Sequence, residues 1–135
     1  MAEKIYTVSC SVELASIGLD KMRTATEGME KAKMSLDWSE IEIAPVVAED
    51  RVAFEEGDIK IVPIRPIKVP ENSLVFLSFY GVNGMGHLCC IGCMEMKKYT
   101  EDRTANLAMF QSRIKSHVSK GDLLGQVVVV PGKKL

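Results

Sequence analysis

Residues 84–94 read Gly84-Met85-Gly86-His87-Leu88-Cys89-Cys90-Ile91-Gly92-Cys93-Met94, which puts three thiols and an imidazole within seven positions. Thiolate and imidazole are donors for soft and borderline metals, so the chemistry this segment offers is zinc or copper(I) binding. The dipeptide just before it, Asn83-Gly84, suits a two-residue type I′ hairpin turn. That turn would set Tyr80 opposite His87, Ser78 opposite Cys89 and Leu74 opposite Cys93. Side chains alternate along a strand, so His87, Cys89 and Cys93 would share one face and Cys90 would take the other. His87, Cys89 and Cys93 are therefore the candidate metal ligands. A closed zinc site takes four ligands, and the remainder would come from Cys10, His117, a carboxylate or a second subunit. The competing reading treats the cysteines as small hydrophobes of a buried strand. It is the one adopted: no cofactor is expected, with zinc as the alternative. A Cys90-x-x-Cys93 chelate would need a knuckle turning at Gly92. Thiol redox chemistry fits least, because reactive pairs of that spacing usually open a helix whose dipole lowers the thiol pKa.

Other residues offer less. The run Tyr80-Gly81-Val82-Asn83-Gly84-Met85-Gly86 lacks the Lys-Ser/Thr ending and following helix of a phosphate-binding loop, and a hairpin turn explains its glycines. His117 precedes a turn with no partner fixed by spacing and reads as a solvated strand-end residue. Asp58 and Asp122 read as turn residues rather than a carboxylate pair. The eight methionines read as adaptable filler rather than copper ligands.

The elements that must position these groups are mainly strands. Residues 4–12 alternate and read as a strand. Residues 19–38 stand between two readings: Met22, Ala25, Met29, Ala32 and Leu36 recur at helical spacing, while Gly28, Thr24 and Thr26 favour extended chain. One helix near 19–37 is taken. Ile41 and Ile43 alternate with Glu40 and Glu42 in a strand stopping near Pro45. Residues 52–54 and 59–62 read as a hairpin about Glu55-Glu56-Gly57-Asp58. Pro63, Pro66 and Pro70 lack N–H donors, so 64–69 should lie at an edge or cross between sheets. Residues 73–80 and 85–94 form the second hairpin. Residues 104–110, 113–118 and 123–130 follow as strands, the last with a valine run suited to burial on both faces. The fold class is a mainly β compact barrel or sandwich of short strands in a single domain, 1–135.

One internal echo stands out: Glu56-Gly57-Asp58-Ile59 is matched by Lys120-Gly121-Asp122-Leu123. It could mark a barrel of two interleaved halves. Gly-Asp turns before strands are common, however, so coincidence is the reading taken. The stretches Lys68-Val69-Pro70-Glu71-Asn72-Ser73 and Lys120-Gly121-Asp122-Leu123-Leu124-Gly125 resemble an uncharacterised archaeal family catalogued as domain of unknown function twenty-two, over the C-terminal two-thirds of the chain. The final turn and strand are also similar to those closing small β-clip and barrel-sandwich domains. The resemblance implies a compact barrel and brings no activity or functional residues with it.

Composition bounds the function. The 135 residues are 47% hydrophobic, enough for one core, and 17 Lys and Arg against 18 Asp and Glu leave a net charge of -1. Such a balance offers no field to hold nucleic acid or an anionic membrane. Residues 1–11 do not read as a signal peptide, and no apolar run reaches the roughly 18 residues of a membrane span. A cytoplasmic location with reduced thiols is expected. The function taken is a noncatalytic β-barrel binding or assembly module, a homo-oligomer or one docked on a larger protein. The alternative is a metal-dependent or small-ligand enzyme around His87 and Cys89.

Overall fold

Two turns organise the chain. In the computed structural model, which describes residues 27–28, 31–77 and 83–135, Gly57 and Gly121 take φ of 82° and 93°, values that favour glycine because it lacks a Cβ. Each turn closes on itself. The Asp58 N–H donates to the Glu55 carbonyl at 3.1 Å and the Asp122 N–H to the Ser119 carbonyl at 3.0 Å. The two carboxylates accept back from the turn starts, Asp58 from the Glu55 N–H at 2.9 Å and Asp122 from the Ser119 N–H at 2.8 Å. Asp58 and Asp122 are turn caps, each serving its own backbone.

Among the described residues, ten strands and one short 3-10 turn run around these turns. They are β1 (Met34–Leu36), the 3-10 turn (Trp38–Glu40), β2 (Glu42–Val47), β3 (Val52–Phe54), β4 (Ile59–Val69), β5 (Leu74–Leu77), β6 (Gly86–Gly92), β7 (Arg103–Ser112), β8 (Ser116–Val118), β9 (Leu123–Val130) and β10 (Gly132–Lys134). All pairings are antiparallel, in sheets ordered β2-β9-β5 and β4-β7-β6 with two-stranded pairs β3-β8 and β1-β10. The mainly β expectation holds. These strands all belong to one compact unit, Lys33–Leu135.

The internal echo is structural rather than coincidental. An offset of 64 residues carries Gly57 onto Gly121 and β3 onto β8, and exchanging the two halves leaves the pairing unchanged. Val52 faces Val118, Ala53 faces His117 and Phe54 faces Ser116. The Gly57 N–H donates to the Ser112 carbonyl at 2.9 Å, as the Gly121 N–H does to Ala48 at 2.8 Å. The Ser112 N–H returns to the Asp58 carbonyl at 3.0 Å, as the Ala48 N–H does to Asp122 at 2.9 Å. Val47 opposite Leu123 likewise matches Gln111 opposite Ile59. Each half contributes strand, short strand, Gly-Asp turn and strand, and every one of these strands pairs with the other half.

This interleaving overturns both expected hairpins. β3 and β4 flank the Gly57 turn but pair with β8 and β7. β5 pairs with β9, and β6 with β7, so Asn83-Gly84 joins two different sheets. A hairpin dipeptide allows local pairing but does not compel it. The valine run of β9 and the alternating β7 are central strands that need neighbours on both edges, and β5 and β6 supply them. The part of that predicted hairpin at 78–82 lies outside the described residues, as do the predicted strand 4–12 and most of the predicted helix near 19–37. The described end of that helix is extended, with Met34–Leu36 in strand β1.

β4 carries Pro63 and Pro66 because it is an edge strand, where a missing N–H breaks no ladder bond; its register with β7 shifts between Pro63 and Ile67. The shift turns Ile64 and Ile67, three apart, both inward. They join Val46, Phe54, Val62, Phe110, Val118, Leu124 and Val127 in one core between the sheets. Phe54 and Phe110 meet edge to face there, with centroids 5.7 Å apart, a favoured aromatic geometry.

Candidate functional site

The thiol and imidazole groups sit on β6, whose backbone is fitted closely to β7. A Cβ at Gly86 would stand 2.0 Å from the Gln111 carbonyl oxygen. His87 lies opposite Gln111 and Leu88 opposite Phe110, but the next matched pair is Cys90 with Met109, so Cys89 is the extra residue of a β-bulge. The bulge resets the alternation. Leu88 and Ile91, three apart, both pack against the core, while His87, Cys89 and Cys90 are exposed. Leu88 fits there because Gly125 of β9 has no side chain: a Cβ at 125 would lie 3.0 Å from Leu88.

Two expectations change with this geometry. The predicted partition, with Cys90 alone on the opposite face from His87, Cys89 and Cys93, fails because strict alternation ends at Cys89. The thiols are not buried strand residues either: Cys89 and Cys90 are exposed and Cys93 half-buried, all as free thiols. A bulge has no marker in single-strand periodicity. Its cause lies in β7, where Phe110 and Ala108 must both meet inward-facing residues.

The candidate ligands have separate partners. His87 Nε2 accepts from the Arg113 guanidinium, at 3.3 Å from Nε and 3.2 Å from Nη2. Cys89 Sγ lies 3.8 Å from the His87 carbonyl, and Cys93 Sγ donates to the Glu95 carbonyl at 3.3 Å. Among the described residues no group of three or more His, Cys, Asp or Glu side chains is arranged to hold a metal ion. His117 is exposed on β8. Cys10 lies outside the described residues.

Sequence reasoning missed a different grouping. Cys90 is cross-strand neighbour to Met109, which is itself opposite Ile61 of β4. Cys90, Met109, Cys93 and Met94 all line one groove of ≈ 190 Å³ on the outer face of the β4-β7-β6 sheet. The signal was the pair Cys90-x-x-Cys93, set aside because a regular strand would have turned the two thiols to opposite faces.

A second surface is apolar without being reactive. On the outer face of the β2-β9-β5 sheet, Ile43, Val128 and Phe76 form a cross-strand row. The Trp38 ring stacks on Phe76 with centroids 5.9 Å apart and planes at 28°. Trp38 is 58% and Ile43 67% exposed. Asp37 holds the 3-10 turn that carries Trp38, accepting from the Ser39 hydroxyl at 2.6 Å and the Ser39 N–H at 3.0 Å. Those two bonds, the hydroxyl's first, keep the Asp37 pKa below the ordinary aspartate value; desolvation opposes them and Lys133 adds a smaller lowering.

These features define a small antiparallel β protein of two interleaved halves, with a thiol-bearing bulged strand on one sheet and an aromatic apolar face on the other. The chain belongs to the family described as Domain of unknown function DUF22, which matches residues 15–115. It is 33% identical over 96 residues to an uncharacterized protein of Methanocaldococcus jannaschii, an alignment covering 71% of this chain and 74% of that protein. No solved structure matches the chain. The family match, rather than covering the C-terminal two-thirds, contains the Lys68–Ser73 stretch and ends before the second Gly-Asp turn.

Proposed function

We propose that this chain is a noncatalytic β-barrel binding and assembly module that forms a homo-oligomer through the outer face of its β2-β9-β5 sheet. The observation that carries the reading is the row of exposed Ile43 and Phe76 on either side of half-buried Val128, with exposed Trp38 stacked on its end. Exposed apolar surface of this kind marks interaction sites, and aromatic anchors dominate their energetics. A second copy is the occupant. A twofold contact would set this row against the same row of the second copy. The net charge of -1 brings little repulsion between copies.

We also infer a cytoplasmic location. Exposed thiols at Cys89 and Cys90 support it, because an oxidising compartment would cross-link them. Among the described residues no helix is long and apolar enough to cross a membrane.

Light scattering after size exclusion tests the assembly. The wild-type chain is expected to elute as an oligomer, and Ile43→Glu, at a site already exposed, to elute as a folded monomer. A wild-type chain that stays monomeric at high concentration, or an Ile43→Glu variant with unchanged mass, overturns the reading.

A further inference from the structure

We propose that the groove on the outer face of the β4-β7-β6 sheet is a copper(I) site, with Cys90 and Cys93 as thiolate ligands and Met109 or Met94 as a thioether ligand. The argument starts from the bulge. By moving Cys90 to the outer face, it sets that thiol directly across from Met109, and directly opposed residues on one sheet face have Cβ atoms roughly 4.5–5.5 Å apart. Cys93 follows just past the end of β6, where the chain bends at Met94 and Glu95. The strand therefore stops before alternation can carry the second thiol away. Cys93 lines the same groove as Cys90, and Met94 beside it is 83% exposed. Two cysteines and two methionines thus line one depression.

The donor set selects the metal. Thiolate and thioether are soft ligands that favour copper(I), and that ion is satisfied by two or three of them. Zinc would require four closed ligands, commonly with imidazole or carboxylate. The nearest imidazole, His87, is held by the Arg113 guanidinium. Ile61 and Leu107 form the apolar wall of the groove, which limits water around the ion.

Binding replaces two S–H bonds with two S–Cu bonds. One copper(I) displaces two protons from Cys90 and Cys93, leaving a complex of charge −1 to which a thioether adds no charge. Cys93 exchanges its bond to the Glu95 carbonyl for the metal. Affinity should therefore fall with acidification, as protons compete for the thiolates.

The test is an anaerobic titration of the reduced full chain with copper(I) against a chromophoric copper(I) chelator. One copper(I) per chain is expected. Cys90→Ser and Cys93→Ser should each weaken binding by about 100-fold or more, and Met109→Leu by about tenfold, the scale on which losses around a metal site are felt. Cys89→Ser, at the neighbouring thiol outside the groove, should bind as wild type. All four positions except Cys93 are exposed, and circular dichroism of each variant confirms folding. A wild-type chain that does not compete with the chelator overturns the proposal. So does binding that survives Cys90→Ser, or binding that needs His87 and Cys89 instead. Oligomeric state does not enter this measurement, so the copper site and the assembly reading fail independently.

Discussion

Gly57 and Gly121 occupy matching points of two turns 64 residues apart, each with positive φ and each donating its N–H to the opposite half of the fold. An added Cβ at either position meets nothing within 4 Å. Substitution there tests backbone strain alone. Gly57→Ala and Gly121→Ala should each destabilise by about 1–2 kcal/mol, the scale of a non-glycine residue held in the left-handed region. Urea unfolding monitored by circular dichroism should give similar losses for the two. A loss at one position only would show that the halves are not energetically equivalent.

Much of this fold was legible locally. Alternation in 104–110 and the valine run 127–130 marked the two central strands, the prolines of 63–70 marked an edge, and the Gly-Asp turns were named from their residue types. Partner choice was not legible. Asn83-Gly84 and Gly57 each sit between two strands, yet the strands they join pair elsewhere, since local turn chemistry does not encode which distant strand offers a matching apolar face. The site failed for a related reason. The extra residue at Cys89 is imposed by what β7 presents to the core, and without it Cys90 and Cys93 fell on opposite faces.

Close backbone approach gives a sharper contrast among glycines. A Cβ at Gly132 would stand 2.1 Å from the Asn72 carbonyl oxygen, and one at Gly86 2.0 Å from that of Gln111. Both neighbours are backbone and cannot rotate away. Gly86→Ala and Gly132→Ala should cost about 3 kcal/mol or more, at or beyond the usual range for overpacking. Gly92→Ala, with nothing within 4 Å, should change stability by less than about 0.5 kcal/mol. Thermal melts of the three variants check the order, and a Gly86→Ala variant as stable as Gly92→Ala would contradict the β6–β7 register.

Adjacent residues of β7 separate core from surface. Phe110 is fully buried against Phe54, whereas Met109 is 41% exposed on the outer face. Phe110→Ala should lose about 3–5 kcal/mol through lost burial and a residual cavity. Met109→Ala should lose under about 1 kcal/mol, because its side chain keeps much of its contact with water. Chemical denaturation gives both numbers, and comparable losses would place the core on the wrong face of the sheet.

The Asp37 carboxylate couples the apolar face to pH. Its pKa in the folded chain is lowered by the Ser39 hydroxyl and then by the Ser39 N–H, so at acid pH the folded state binds fewer protons than the unfolded state. Its stabilisation is complete above the ordinary aspartate value and is lost as pH falls through the lower folded one, that is, below about pH 4. Protonation removes a charged acceptor from the turn Trp38–Glu40 and loosens the seat of Trp38 on Phe76. Trp38 is the only tryptophan, so its emission reports this step directly. The wild-type chain should show a red shift below about pH 4 that reverses on neutralisation. Asn can accept the same two hydrogen bonds without titrating, so Asp37→Asn should keep the neutral-pH emission and lose the acid step, whereas Asp37→Ala should be shifted at every pH. An acid step of equal size in Asp37→Asn would assign the transition to another carboxylate and separate the Trp38 stack from this cap.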